Sequence, residues 1–172
     1  METPALVSEL YRHLEWADAE MWQAVLALPA AGTDQATYDR LLHIQQVQWA
    51  YVNAWRGTPF DLESFGTPPL RDLAAGSALY HATVQAFLQA LEPAALDREL
   101  VVPWAALLER HWQRKLAAPT VGETLVQVVM HSAYHRGQVS ARLREIGGEP
   151  PLTDYVVWLW FDRPATRWPG SA

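Results

Sequence analysis

The chain has 172 residues, of which half are apolar and 19% are charged, and this composition excludes a mainly disordered protein. It contains no cysteine, which excludes a disulfide framework, cysteine-ligated metal clusters and a cysteine nucleophile. The net charge is −6 and Lys115 is the one lysine among 13 basic residues, so we expect no nucleic-acid partner.

The length and the N-terminus set further expectations. A chain of this size can bury a substantial core as one domain, and we expect residues 1–162 to form it, with a loose tail over 163–172. The N-terminus lacks a basic region followed by an apolar run, and no apolar stretch is long enough to cross a bilayer. A cytoplasmic protein without a membrane partner is the resulting prediction.

Apolar residues recur at intervals of three or four in four long segments, which is the pattern of amphipathic helices. The first helix is predicted to end near Leu28, and the second to run from Thr37 to an αL cap at Gly57. The third is predicted to start at Thr67-Pro68 and to end before Pro93. Thr120-Val121-Gly122-Glu123 is a capping-box sequence and predicts the start of the fourth helix.

The segments between and after these helices are less regular. The proline-rich stretch Pro59 to Pro69 is predicted to be a long crossover loop. Before the fourth helix, Glu99 to Trp104 and Arg110 to Leu116 favour a short hairpin over irregular structure. Tyr155 to Phe161 is predicted to form a short C-terminal helix. Its sides are apolar nearly all round, so they are expected to pack on the bundle and on a second subunit. The predicted fold is therefore all-α, an up-down four-helix bundle with an insertion and a short terminal helix.

Two histidines, His131 and His135, lie four residues apart in the fourth predicted helix. Since four residues is slightly more than one turn, both imidazoles project from the same face, about 5 to 6 Å apart at Cβ. Two neutral imidazoles at that spacing can share a divalent metal. A third ligand has to come from another helix, and the spacing leaves it open among carboxylates and the four other histidines, which are His13, His43, His81 and His111.

Several metal and catalytic motifs do not fit this pair. Ser132 stands where a zincin helix carries its glutamate. No glutamate is followed three residues later by a histidine, as a di-iron carboxylate bundle requires. The sequence contains no nucleophile-elbow motif that would support a Ser-His-Asp triad.

The sequence resembles the DinB/YfiT superfamily of metal-binding four-helix bundles over essentially the whole chain. The resemblance is carried by His131 to Gln138 (HSAYHRGQ), Leu143 to Pro151 (LREIGGEPP) with Asp154, Trp16-Ala17-Asp18, and a histidine in the second helix. It implies a three-histidine site made by His43, His131 and His135. One departure is Asp18, where many relatives have asparagine, and this leaves the role of that position open.

Three histidine ligands leave a coordination position for water or substrate. The expected cofactor is a divalent metal ion, zinc first, with nickel, iron and manganese open. The resemblance implies a metal-dependent enzyme of the thiol-dependent S-transferase or isomerase type, with a low-molecular-weight thiol as cosubstrate, and it implies a homodimer. The alternatives are a metal-dependent hydrolase and a non-enzymatic metal-binding or stress-response protein. No catalytic residue beyond the ligands is predicted.

Overall fold

A computed structural model describes residues 3–170, and the secondary structure of that part of the chain is helical. Short 3-10 helices at Pro29–Thr33 and Pro93–Asp97 join longer elements. The α-helices are α1 (Thr3–Ala27), α2 (Gln35–Arg56), α3 (Leu62–Phe65), α4 (Leu70–Ala90), α5 (Ala105–Trp112), α6 (Val121–Glu145) and α7 (Tyr155–Trp160). The prediction of an all-α protein is confirmed.

The ends of the two helices that carry the candidate ligands have identifiable caps. The Asp34 carboxylate accepts the Thr37 backbone N–H at the start of α2, and Gly57 ends that helix with φ 67°. At the start of α6, the Thr120 hydroxyl accepts the Glu123 N–H, while the Glu123 carboxylate accepts the Thr120 N–H. The capping box and the Gly57 cap are as predicted. The Asp34 cap was not predicted, and α2 begins at Gln35, two residues earlier than expected.

The start of α4 differs from the prediction. We expected Thr67 to cap the helix and Pro68 to occupy its first turn, but the cap position is Pro69 and the helix begins at Leu70. The physical reason is that each residue before a proline is pushed out of the α region, which applies to Thr67 and to Pro68. Within the preceding loop, Leu62–Phe65 forms a single helical turn behind an Asp61 cap.

The four long helices enclose the core. Helix α1 contacts α4 and α6, and α2 contacts the same two helices. One group of buried apolar side chains includes Tyr11, Trp55 and Leu125, and a second includes Met21 and Leu143. Because α2 and α6 are neighbours, side chains on their facing sides can form a common site. None of the helices within residues 3–170 is both long and apolar enough to span a bilayer.

The predicted hairpin before α6 is wrong. Ala105–Trp112 is α5, and among residues 3–170 the only bridge of β type is an isolated one between Glu99 and Thr120. The sequence of α5, AALLERHW, is dominated by strong helix formers, and their preference prevails over the β-type residues on either side. The helix ends at Trp112 and is followed by the capping residue Gln113, which adopts φ 51°.

The C-terminal segment contacts α1 at several places. In α7, Trp158 is buried against Trp16 and Ala17. Within the expected tail, the Gln23 amide donates a hydrogen bond to the Arg167 carbonyl at 2.7 Å, and Trp168 packs against the second buried group. Residues 171–172 of the expected tail lie outside the described residues. The described part of the segment therefore covers one side of α1.

Candidate metal centre

The three histidines expected to be ligands meet between α2 and α6. One ring nitrogen from each of His43, His131 and His135 lies within 4.8 Å of the other two. The Nε2 atoms of His43 and His131 are 3.2 Å apart, and the rings of His131 and His135 have centroids 4.4 Å apart. Helical spacing accounts for the α6 pair, and the packing of α2 on α6 adds His43.

Burial favours the neutral form of two of these imidazoles. Partial burial, with smaller contributions from the neighbouring His135 and His43, lowers the pKa of His131 to about 4. The pKa of His43 is also lowered, by burial first and then by His135. A neutral imidazole has a free nitrogen lone pair and is the form that binds metals.

Gln138 orients one of the three rings. Its side-chain oxygen lies 2.8 Å from Nδ1 of His135, one helical turn earlier. An amide oxygen only accepts, so this hydrogen bond places the ring proton on Nδ1 and leaves the Nε2 lone pair of His135 free. Metal-binding histidines commonly donate their second ring nitrogen to such a partner.

The donor set fits a divalent metal ion. Two nitrogens bound to one tetrahedral zinc at the usual bond length are separated by about 3.3 Å, and the His43 and His131 Nε2 atoms are 3.2 Å apart. At this distance one of the two nitrogens can donate a hydrogen bond to the other, or both lone pairs can bind one metal ion. The set is nitrogen only, which suits zinc and also nickel, iron or manganese.

The other histidines lie elsewhere. His81 is fully buried and bonds through Nε2 to Asp18 Oδ2 at 3.0 Å. His13 is buried, with Nε2 2.9 Å from the Thr153 carbonyl, and His111 is exposed on α5. None of these three belongs to the histidine group.

A buried polar network lies behind the histidines, centred on Asp18 of α1. The Asp18 carboxylate accepts hydrogen bonds from Arg136 Nη1 at 2.8 Å and from the Gln48 amide at 2.8 Å. The Gln48 amide also donates to the Ser132 hydroxyl. Burial alone would raise the pKa of Asp18, but the Arg136 charge and the His81 and Gln48 hydrogen bonds outweigh it, so the pKa is lowered. Ser132 and Arg136 each follow a candidate ligand by one residue, so the network anchors α6 there.

A cavity of about 580 Å³ opens beside the histidine group. His43 and His131 form part of its wall, and most of the remainder is apolar or aromatic, including Val47, Tyr51 and Trp104. The Tyr51 and Trp104 rings meet edge to face, with centroids 5.0 Å apart. A molecule in this cavity would lie directly against two of the candidate ligands.

Three features of the site were not predicted from the sequence: the hydrogen bond of Gln138 to His135, the network around Asp18, and the cavity. Gln138 follows His135 by three residues, a spacing at which helix side chains meet, so that signal was available. The other two features join three or more segments of the chain and have no local sequence pattern.

The fold and the site define an all-helical protein with a three-histidine group between two long helices. The chain belongs to the DinB family, whose sequence model matches residues 1–167. It is also similar to Protein DinB of Bacillus subtilis (strain 168), with 43% identity over 44 residues. That match covers 26% of this chain and 26% of the relative.

Proposed function

We propose that His43, His131 and His135 bind one divalent metal ion, with zinc as the preferred candidate, and that the protein is a metal-dependent enzyme. The observation that carries the proposal is the convergence of one nitrogen from each histidine within 4.8 Å. The lowered pKa values of His43 and His131 support it, because both rings are then neutral near pH 7 and able to bind a metal.

An enzyme is favoured over a protein with a sealed structural metal. Three protein ligands leave a coordination position open. The His43 side chain is partly buried between the helices but still open to solvent, and with His131 it borders a cavity of about 580 Å³, within the usual range of ligand pockets. A structural zinc site, in contrast, is normally closed by four protein ligands.

Among the reactions that the resemblance implies, we propose thiol-dependent S-transfer or isomerisation with a low-molecular-weight thiol as cosubstrate. A bound zinc ion would stabilise the thiolate form of such a cosubstrate. The chain itself supplies the ligand geometry, the Gln138 hydrogen bond that orients His135, and a mostly apolar cavity beside them.

Metal-dependent hydrolysis is the second proposal, and a non-enzymatic metal-binding or stress-response role is the third. Hydrolysis by a bound hydroxide needs a base or orienting group close by. Two polar residues flank His135 in the sequence: Tyr134 is exposed, and Arg136 is turned inward to Asp18. Neither placement favours hydrolysis.

Three further features belong to the proposal. We propose an up-down four-helix bundle made by α1, α2, α4 and α6, which the pairwise contacts of these helices support. A homodimer is proposed because Trp160 and Phe161 are exposed at the end of α7. The proposed location is the cytoplasm, where a pool of reduced thiols is maintained.

Metal content tests the central proposal. Purified protein, stripped with a chelator and reloaded with zinc, is expected to hold one ion per chain. His43→Ala and His135→Ala should each lose most of it, while His111→Ala, which changes an exposed histidine outside the group, should retain it. Full occupancy in His135→Ala would refute the ligand assignment. A loaded protein that consumes no thiol with any electrophile tested would refute the thiol-dependent reaction.

A further inference from the structure

The cavity beside the histidines has a composition that selects its ligand. Its walls come from α2, from the loop after α2 with the start of α3, from α5 and the residues just before it, and from α6. Apart from His43, His131 and the Tyr51 phenol, its lining within the described residues 3–170 contains no titratable side chain. Burial raises the pKa of Tyr51, so the phenol is uncharged near pH 7.

The aromatic wall joins two separate parts of the chain. Tyr51 lies on α2 and Trp104 at the start of α5, and their rings meet at an interplanar angle of 87°. Leu108 of α5 adds aliphatic surface to the wall, and Phe60 adds a further aromatic ring from the loop after α2. Aromatic faces held in this way bind flat apolar groups with little loss of side-chain freedom.

From these observations we infer that the cavity binds the uncharged, aromatic part of the substrate, and that it discriminates against an anionic ligand of the same shape. The inference rests on the proposed function, because it treats the bound molecule as the substrate of the histidine site. A charged carboxylate in this cavity would lose hydration and find no arginine or lysine among the lining residues.

Isothermal titration calorimetry on the full chain tests the inference with β-naphthol and its anionic analogue β-naphthoate. Metal-free protein is used for this comparison, since a carboxylate could otherwise bind the metal itself. We expect one β-naphthol molecule to bind per chain. The affinity for β-naphthoate should be lower by a factor of about ten or more. Equal affinity for the two probes would overturn the inference.

Variants locate the binding. Trp104→Ala and Leu108→Ala should each weaken β-naphthol binding about tenfold. Leu107→Ala is the matched control, because this residue lies on the same helix, is 59% exposed and is not in the cavity wall. If Trp104→Ala does not fold by circular dichroism, Ala50→Phe provides a second test by filling the cavity from α2. Wild-type affinity in Ala50→Phe would overturn the inference.

Zinc content measured on the same preparations separates this inference from the proposed function. Zinc binding with no β-naphthol binding overturns the inference and leaves the metal site standing. The converse result, β-naphthol binding without zinc binding, overturns the metal site and the identification of the ligand as its substrate. Zinc binding in Trp104→Ala at the wild-type level, together with weakened β-naphthol binding, supports both.

Discussion

The Asp18 carboxylate accepts a hydrogen bond from Arg136 at 2.8 Å, with both side chains at most 5% exposed. The pair joins the middle of α1 to the part of α6 that carries His131 and His135. Breaking a buried pair by removing one partner leaves an uncompensated charge, which usually costs about 3 to 5 kcal/mol. The position of the candidate ligands on α6 thus depends on a carboxylate that is not itself near the histidines in sequence.

Removing Asp18 is expected to destabilise the protein strongly. Asp18→Ala should lower the free energy of unfolding by about 3 to 5 kcal/mol, because Arg136 and His81 lose their shared buried acceptor. Urea unfolding followed by circular dichroism measures this. Asp39→Ala, the control, removes an exposed carboxylate of α2 and should change stability by no more than about 0.5 kcal/mol. A loss in Asp18→Ala as small as in the control would contradict the prediction.

Gln138 is predicted to tune metal affinity without being a ligand. Gln138→Leu removes the acceptor of the His135 Nδ1 proton while roughly conserving side-chain volume, so the ring loses its fixed orientation. Zinc affinity should fall by about 10-fold to 100-fold. Competition with a chromophoric chelator measures it. Gln35→Leu, at the exposed start of α2, should bind zinc like the wild type, and an unchanged affinity in Gln138→Leu would show that the hydrogen bond has no such role.

The ion pair between Asp34 and Arg142 predicts a pH dependence of stability. Asp34 accepts hydrogen bonds from the Arg142 side chain and from the Thr37 backbone N–H, and these hold its pKa well below the usual range. Burial acts in the opposite direction but is outweighed. A depressed folded-state pKa gives stability that is present above the unfolded pKa, about 3.9, and is lost as the pH falls further. The difference in Tm between the wild type and Asp34→Asn should therefore be smaller at about pH 2 than at about pH 7.

Asparagine at position 34 retains the helix cap, so the comparison isolates the charge. Glu145→Gln is the control, because Glu145 contacts the same Arg142 at 2.8 Å but is mostly exposed. An exposed ion pair contributes little to the stability of the folded state. The Tm of this variant should therefore be close to that of the wild type at neutral pH. A Tm difference for Asp34→Asn that stays constant across the pH range would contradict the prediction.

The exposed end of α7 is predicted to mediate self-association. Trp160 is 75% exposed and Phe161 lies next to it, also exposed. Placing a charge there with Trp160→Glu should shift the protein from dimer to monomer, measured by size-exclusion chromatography with light scattering. Leu79→Glu places the same charge at an exposed apolar position on α4 and should leave the dimer intact. A monomeric wild type would contradict the homodimer at once.

Much of the fold could be predicted from the sequence because its signals are local. The periodic apolar residues located four long helices, and the pairs Thr120 with Glu123 and Ala54 with Gly57 place helix ends by short-range hydrogen bonds. The prediction of a hairpin before α6 was wrong because it followed the β-type residues that flank the segment and not the helix-forming residues within it. There the two local preferences conflict, and Ala105–Trp112 follows the helical one.

The sequence by itself determined that His131 and His135 share one face of a helix, since 3.6 residues per turn fixes that relation. It left the third histidine open on spacing alone, and the resemblance to a known family pointed to His43. Tertiary structure decided the rest: the packing of α2 on α6 brings His43 within 3.2 Å of His131, and it places Trp104 against Tyr51. Such contacts join residues far apart in the chain, so they depend on how whole helices pack and leave no local pattern.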